Sequence, residues 1–276
     1  MLVAEVVFFL RTLMAENKDC LTTNAARTLK KFLVPPSLKH DLRTIAAIIR
    51  STLTHPLPIL GSDPIPGPCA VKVYTDVSGH LISNPSLGIY IPKQLYFEGP
   101  FVASLALPRV FLNKTDAAGH KAHCKTTALE ALGFIAVLCS EPLRFTEKQA
   151  VFHIDNIAAV RALSKGRSTD DWATTLVRAA RVVGAGIGCS LFAQWERRRS
   201  SRAGRVADDL THNLVKELTA EELAAFLSLS QVTFPPPILN WMAAPAPDQG
   251  LGHNCLVWLR QSYPALRLIQ AGQVSI

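Results

Sequence analysis

The 276-residue chain lacks any long uninterrupted apolar segment. No apolar run reaches the roughly 18 residues that a membrane-spanning helix needs, so we expect no membrane segment. The stretch 3–14 is apolar, but no basic region precedes it, and it carries Glu5 and Arg11 in a helical pattern. This pattern favours an amphipathic helix over a signal peptide. We therefore expect an intracellular protein of the nucleus or cytoplasm that is not secreted.

Several common site motifs are also missing. The six cysteines are scattered without a C-x-x-C pair, which favours reduced thiols over a disulfide framework. No serine lies in a G-x-S-x-G context, so a serine nucleophile has no support. The glycines of 184–188 do not match the dinucleotide-binding spacing. His120, His123 and Cys124 lack a fourth zinc ligand at a recognised spacing.

Acidic residues are scarce in this chain. The 21 Asp and Glu residues oppose 29 Lys and Arg residues, which gives a formal net charge of +8. Such an excess of positive charge favours polyanionic partners. The hydrophobic share of 49% and the charged share of 18% fit neither a disordered chain nor a fibrous repeat. We therefore expect a folded core with an attraction to polyanions.

Proline-rich segments divide the chain into three parts. The prolines between 56 and 68 break any regular element and indicate a linker. The run Pro235-Pro236-Pro237 sets off a short segment near the other end. We predict a helical N-terminal extension with linker at 1–65, a main domain at 66–220 and a helical C-terminal extension at 221–276.

The main domain shows alternating strand and helix patterns. Short β-rich runs predict strands at 70–75, 87–91, 101–107, 150–154 and 188–195. Apolar periodicity predicts helices at 126–139, 157–164, 171–183 and 206–218. This order predicts an α/β fold with a mixed five-stranded sheet flanked by helices, in which a three-stranded meander precedes parallel crossovers.

Four acidic residues fall at informative places in this order. Asp76 ends the first strand, Asp155 ends the fourth, Glu130 lies near the start of an apolar helix, and Asp208 lies near the start of the last helix. If the first and fourth strands are parallel neighbours, Asp76 and Asp155 lie about one strand spacing of ~5 Å apart. Carboxylates that close repel each other unless a cation lies between them, and Mg²⁺ prefers oxygen ligands. The pattern therefore predicts a metal site.

Each of these acids also has a purely structural interpretation. Glu130 fits a capping box with Thr127, and Asp155 fits an N-cap of the next helix. Asp208 would stabilise a helix N-terminus through the macrodipole, and Asp76 fits an Asx turn. No single acid decides between the two interpretations, so the prediction of a metal site depends on their joint order.

The four acids lie in four short segments, residues 74–79 (YTDVSG), 127–132 (TALEAL), 153–156 (HIDN) and 205–212 (RVADDLTH). Together these segments resemble the ribonuclease H domain of retroelement reverse transcriptases, of the long-terminal-repeat and especially the DIRS type. The resemblance covers about 66–215, and 33–53 more faintly resembles the connection that follows the polymerase thumb. It implies a ribonuclease H-like fold, in which the first and fourth strands are adjacent.

The resemblance implies a magnesium-dependent endonuclease that hydrolyses the RNA strand of RNA–DNA hybrids. The family holds two Mg²⁺ ions with four acids, which match Asp76, Glu130, Asp155 and Asp208 here, and Mn²⁺ is an alternative ion. The resemblance implies that Asp76 and Asp155 hold the ions and that Glu130 orients the attacking water. It also implies that Asp208 completes the coordination shell of the second ion. A polymerase partner from the parent element is a further expectation.

The chain departs from the family pattern at several points. Leu210-Thr211-His212 replaces Leu-Ser-Arg, and the loop 196–205 contains no histidine for product release. No Tyr-x-Asp-Asp polymerase motif is present, so DNA synthesis is not expected from this chain. These departures leave a second hypothesis open, a catalytically inactive ribonuclease H-like scaffold that binds nucleic acid or protein.

Basic residues cluster beside the proposed site. Arginine side chains match phosphate geometry and would add salt-dependent affinity for a nucleic acid such as an RNA–DNA hybrid. The predicted phosphate-binding residues are Arg197, Arg198, Arg199, Arg202, Arg205 and Lys125. A solvated charged loop or a nuclear-targeting tract is the alternative. We predict that Trp172 and Trp195 pack in the core and do not serve as stacking platforms.

Overall fold

The computed structural model describes residues 69–78, 85–94, 99–116, 119–229, 233–244 and 250–264, together with Arg43 and Leu266. The predicted N-terminal helices and the proline-rich linker lie outside the described residues, apart from Arg43. In the part of the chain that the structure describes, every helix is too short or too polar to cross a bilayer.

Five strands form a single mixed sheet. They are β1 (Val71–Val77), β2 (Ser86–Ile91), β3 (Phe101–Ala106), β4 (Gln149–Ile154) and β5 (Ser190–Trp195). Their spatial order is β3-β2-β1-β4-β5. The β1–β2 and β2–β3 pairs are antiparallel, whereas the β1–β4 and β4–β5 pairs are parallel. The predicted meander with parallel crossovers is therefore confirmed, and β1 lies at the centre.

Helices cover both faces of this sheet. They are α1 (Arg109–Leu112), α2 (Thr126–Ser140), α3 (Pro142–Phe145), α4 (Ile157–Lys165), α5 (Asp171–Gly186), α6 (Arg202–Leu210), α7 (Ala220–Ser228), α8 (Pro236–Ala243) and α9 (Leu251–Ser262). A short 3-10 helix, Ala122–Cys124, precedes α2. The architecture is thus α/β with a helix layer on each face of the sheet.

The main core lies between the sheet and α2. This helix is apolar nearly all round, and residues 128–139 are all buried because the sheet lies on one side of it and α5 on the other. Phe134 packs edge-on against Phe152 of β4, with ring centroids 5.0 Å apart. Burial of one such side chain contributes about 1.5–3 kcal/mol, so α2 is held firmly against the sheet.

The opposite face of the sheet carries α6 and α7. A second apolar cluster there joins Tyr90 and Val102 to Val206, Ala207 and Leu210 of α6. The backbone of α6 approaches β2 very closely, because a Cβ atom at Gly88 would lie 2.2 Å from the carbonyl oxygen of Ala207. This contact fixes the height of α6 above the strands.

The predicted last helix needs a correction. It was expected at 206–218, but α6 spans Arg202–Leu210. The side chain of Ser201 caps its start by accepting a hydrogen bond from the Gly204 amide at 3.0 Å. Leu214, which fits the apolar stripe of the predicted helix, is 44% exposed. Asp208 therefore lies in the last turn of α6, and its predicted stabilisation of a helix N-terminus is wrong.

The C-terminal helices pack onto the main core. Side chains of α8 and α9 join the cluster formed by the sheet, α2 and α5; they are Ile238, Trp241, Met242, Leu251, Cys255, Leu256 and Leu259. A Cβ atom at Gly252 would lie 2.8 Å from Val182, so α9 and α5 are in close contact. The predicted helical extension is present and shares this core, whereas a domain boundary at 220 stays a prediction.

Candidate metal centre

The carboxyl ends of β1 and β4 bring two acids together. The parallel register pairs Tyr74 with His153, and two residues further along each strand come Asp76 and Asp155. Asn156, not Asp155, caps α4, since its side-chain oxygen accepts hydrogen bonds from the amides of residues 158 and 159. The N-cap interpretation of Asp155 is therefore wrong, and its carboxylate is available at the edge of the sheet.

The third acid comes from α2. Glu130 lies one turn before Gly133, where a Cβ atom would be 3.1 Å from the Thr75 hydroxyl oxygen. Residues three apart share a helix face, so the close approach of α2 to β1 carries Glu130 next to Asp76. The helix begins at Thr126 without a side-chain cap. The capping-box interpretation of Glu130 is therefore wrong.

The three carboxylates form one compact cluster. One oxygen from each of Asp76, Glu130 and Asp155 lies within 4.8 Å of the others. Glu130 is only 4% exposed, and its Oε2 atom has no hydrogen-bond partner among the described residues. A buried carboxylate oxygen without a partner is costly unless a cation or proton neutralises it. All of the donors are oxygen, which suits a hard divalent cation such as Mg²⁺ or Mn²⁺.

Burial and mutual repulsion perturb these acids. Burial, a hydrogen bond with Asp208 and the charge of Asp155 raise the pKa of Asp76 to about 7. Burial, followed by the charges of Asp76 and Asp155, raises the pKa of Glu130 well above its usual value. Burial also raises the pKa of Asp155, although Arg198 opposes this shift. Without a metal ion, the cluster therefore favours bound protons.

Asp208 lies beside the cluster but is bound by arginines. Arg198 donates to Asp208 from Nε at 3.1 Å and from Nη2 at 2.7 Å. Arg199 also pairs with Asp208, and it donates to Asp209 Oδ1 at 3.0 Å. Burial acts to raise the pKa of Asp208, but the hydrogen bonds from Arg198 hold it below the usual value. The fourth predicted ligand therefore sits in ion pairs next to Asp76.

Besides Arg198 and Arg199, three further predicted phosphate-binding residues make internal ion pairs. Arg202 donates from Nη2 to Glu222 at 2.5 Å, and Arg205 donates from Nε to Glu217 at 2.8 Å. Lys125 pairs with Asp116 at 2.7 Å and with Asp170 at 2.9 Å, and its side chain is 11% exposed. These contacts tie α6 to α7 and the start of α2 to the start of α5. Their role in binding nucleic acid stays a prediction.

Arg197 differs from these residues. Its side chain is exposed and makes no recorded ion pair within the described part of the chain. It lines a cleft with Arg198, Arg199, Asp76 and Asp155. The cleft therefore combines acids at its floor with arginines on one wall.

Two features of this cleft were not found from the sequence. His153 Nδ1 lies 3.2 Å from Glu196 Oε2, and its ring stacks on Tyr74 with centroids 4.5 Å apart. The alternation of side chains along β4 could have indicated this, because His153 lies two residues before Asp155 and shares its face. Of the segment 153–156, only Asp155 was predicted from the sequence to lie at the site.

Trp195 is the second such feature. Trp172 is buried as predicted, but Trp195 at the end of β5 is 50% exposed, so its assignment to the core is wrong. Its indole N–H donates to the backbone oxygen of Asp155 at 2.9 Å. This bond ties the end of β5 to the residue that supplies one of the clustered carboxylates.

Comparisons with protein-family models, with curated proteins and with solved structures found no match to this chain. The five-stranded mixed sheet is compatible with a ribonuclease H-like arrangement, but this sheet order is not specific to that family. The resemblance to retroelement ribonuclease H domains stays a prediction that rests on the four sequence segments.

Proposed function

We propose that this protein is a magnesium-dependent endonuclease that hydrolyses the RNA strand of RNA–DNA hybrids. The observation that supports this proposal best is the cluster of Asp76, Glu130 and Asp155 at the carboxyl ends of two parallel strands. The orphaned Oε2 atom of buried Glu130 adds to it, because a divalent ion is the partner that such an oxygen lacks.

The residues of the cleft have complementary roles in this proposal. Asp76, Glu130 and Asp155 would hold divalent ions, which supply an activated water and stabilise charge on the phosphate oxygens. Asp208 would join them after release from its arginine partners. Arg197 is placed to hold the substrate backbone, because a free guanidinium pairs well with a phosphate group.

The choice of RNA–DNA hybrid as substrate rests on the sequence resemblance. A shallow cleft with arginines beside acids is compatible with a polyanionic backbone, and the net charge of +8 favours the approach of one. A labelled hybrid, the matching RNA duplex and the matching DNA duplex would therefore be compared as substrates.

The direct test measures cleavage of the hybrid with Mg²⁺ and with EDTA. We expect Mg²⁺-dependent cleavage by the wild type and a loss of at least about 100-fold in D76N, because one ligand of the reacting centre is removed. Asp171→Asn is the matched control, since Asp171 is an exposed acid at the start of α5. Absence of Mg²⁺-dependent cleavage, or equal cleavage by D76N, would contradict the proposal.

One observation favours the rival function, an inactive scaffold that binds nucleic acid. Arg198 and Arg199 already neutralise Asp208, so part of the acidic charge is compensated without a metal ion. The scaffold hypothesis predicts that the hybrid binds equally well with Mg²⁺ and with EDTA and is never cut. Binding measured by fluorescence anisotropy beside the cleavage assay separates the two functions.

A further inference from the structure

We propose that Arg198 is the resident counter-cation of the acidic cluster, which competes with the first divalent ion and moves onto the phosphate backbone when nucleic acid binds. This inference rests on the proposed function and adds to it a mechanism by which substrate controls metal loading. It assigns to Arg198 a role that its neighbours Arg197 and Arg199 do not share.

One guanidinium reaches three of the four predicted metal ligands. Arg198 Nη2 lies 2.7 Å from Asp208 Oδ1 and 3.9 Å from Asp76 Oδ2, and Nε lies 3.9 Å from Asp155 Oδ2. Within the described part of the chain, the acids that pair with Arg199 are Asp208 and Asp209 of α6. Arg198 alone among the described cations therefore bridges α6 to the strand ends that carry the cluster.

The positive charge of Arg198 acts on several acids at once, because its guanidinium lies at most 3.9 Å from oxygens of Asp76, Asp155 and Asp208. A divalent ion at the cluster would carry out the same neutralisation. Two cations that neutralise the same carboxylates repel each other at short range, so Arg198 and the metal ion are competitors.

The position of Arg198 allows it to leave. Its side chain is 61% exposed, and it lies in the loop between β5 and α6. The acids below it are fixed by β1, β4 and α6, so the guanidinium is the mobile partner. A phosphate group offers the paired acceptor geometry that the guanidinium would lose. Binding of a backbone phosphate therefore removes a competitor of the metal ion.

This competition predicts positive coupling between metal and nucleic acid. Each ligand raises the affinity for the other by the same factor, as thermodynamic linkage requires. The coupling belongs to Arg198, because Arg197 lines the same cleft but makes no recorded contact with the acids in the described part of the chain. Arg197→Gln is therefore a matched control with the same change in net charge.

The first experiment measures Mn²⁺ binding by the metal-free protein, with free Mn²⁺ read by electron paramagnetic resonance. We expect R198Q to bind Mn²⁺ about tenfold more tightly than the wild type, since one nearby but solvent-exposed charge is removed. R197Q should change the affinity less than twofold, and R198K should remain close to the wild type. D76N should bind weakly, which locates the site.

The second experiment measures binding of a fluorescent DNA duplex, which has no RNA strand to cut, with and without Mg²⁺ at constant ionic strength. We expect Mg²⁺ to raise the duplex affinity of the wild type and of R197Q severalfold, and to have no such effect in R198Q. Equal responses of R198Q and the wild type would overturn the transfer of Arg198 to phosphate.

The outcomes separate this inference from the proposed function. Equal or weaker Mn²⁺ binding by R198Q, with binding lost in D76N, would overturn the role of Arg198 and leave the metal-dependent nuclease in place. Absence of Mn²⁺ binding in both the wild type and R198Q, or binding unaffected by D76N, would overturn the proposed metal centre and this inference with it. Circular dichroism confirms that each variant is folded.

Discussion

Two acids of the cluster are buried, although an ionised carboxylate is more stable in contact with water. Asp76 is 8% exposed and Glu130 is 4% exposed, yet both are acids at the same edge of the sheet. Their burial is imposed by the close packing of α2 on β1 at Gly133 and Thr75. The electrostatic cost of this arrangement has measurable consequences for stability.

The first prediction concerns the pH dependence of metal-free stability. The pKa of Asp76 is raised from 3.8 to about 7 in the folded state, so between about pH 4 and pH 7 the folded chain keeps a proton that the unfolded chain releases. Stability must therefore fall as pH rises through this window. D76N should show a shallower slope, because burial still raises the pKa values of Glu130 and Asp155, and it should gain about 2–4 kcal/mol relative to the wild type at pH 8.

Urea unfolding in EDTA at pH 5 and pH 8 measures this effect. Asp171→Asn changes the same chemical group at an exposed position and should keep the wild-type slope. Addition of Mg²⁺ at pH 8 should stabilise the wild type more than D76N, because bound metal replaces the proton. A wild-type stability that rises between pH 5 and pH 8 in EDTA would contradict the raised pKa of Asp76.

The second prediction concerns Trp195. Its indole N–H is the donor to the Asp155 backbone oxygen, and a hydrogen bond of this kind contributes about 1 kcal/mol. W195F keeps an aromatic ring but loses the donor, so we expect roughly fivefold slower hybrid cleavage and a loss of about 1 kcal/mol of unfolding free energy. Trp258→Phe on α9 is the matched control. Wild-type cleavage rates in W195F would show that Asp155 is positioned without this bond.

The helices and strands differ in how well their bounds could be predicted from the sequence. The strands were predicted correctly because each is a short apolar run, and their alternation with helices predicted a meander followed by parallel crossovers. The adjacency of the first and fourth strands was implied only by the family resemblance. The end of α6 was predicted wrongly. Val206, Leu210 and Leu214 fit one helical stripe, but the chain turns at residues 211–213. The left-handed backbone of Asn213, with φ of 56°, belongs to this turn.

The candidate site was predictable to a similar extent. The local sequence placed Asp76 and Asp155 at strand ends, and the family resemblance implied that these two strands are adjacent. The ion pairs of Arg202 with Glu222 and of Arg205 with Glu217 were not predictable, because they depend on how α7 folds back beside α6. A run of arginines has the same sequence pattern whether its members face solvent or internal acids.

The third prediction tests the contact between α6 and β2. Gly88 pairs with Asp76 across the β1–β2 ladder, and a Cβ atom there would lie 2.2 Å from the Ala207 carbonyl oxygen. G88A must therefore push α6 away from the sheet, which moves Asp208 relative to Asp76. We expect a loss of about 1–3 kcal/mol of unfolding free energy and weaker Mn²⁺ binding.

Gly99→Ala is the control for this prediction, because no heavy atom of the described residues other than its chain neighbours lies within 4 Å of a Cβ atom at that position. Urea unfolding and Mn²⁺ titration of the two variants measure stability and site geometry separately. Unchanged stability in G88A would contradict the close contact of α6 with β2.

Among the described residues, the main apolar core and the arginine-rich segment 197–205 lie on opposite sides of the sheet. The helices α2, α5, α8 and α9 share one apolar core on one face, while the arginines of the 197–205 segment lie around α6 on the other. The net charge of +8 attracts polyanions from a distance. Arg198 would exchange its carboxylate partners for phosphate under the inference above, whereas we expect more firmly paired cations such as Arg205 to keep their internal partners. Net charge alone therefore does not set the strength of binding.

The fourth prediction uses this distinction. The affinity for a hybrid falls with salt in proportion to the number of phosphates that the protein neutralises. R197Q should therefore reduce the slope of log affinity against log salt by about one. R205Q makes the same change in net charge, but Arg205 is paired with Glu217 at 2.8 Å. The salt dependence of hybrid affinity in R205Q should therefore match that of the wild type.

Fluorescence anisotropy of a labelled hybrid in EDTA, between about 50 and 200 mM salt, measures both slopes without cleavage. Equal reductions in R197Q and R205Q would mean that the long-range field of the molecule, not local phosphate contact, governs binding. A reduction in R205Q alone would move the phosphate-binding surface from the cleft to the junction of α6 and α7. A reduction in R197Q alone places the phosphate backbone across the acidic cleft, where the proposed chemistry requires it.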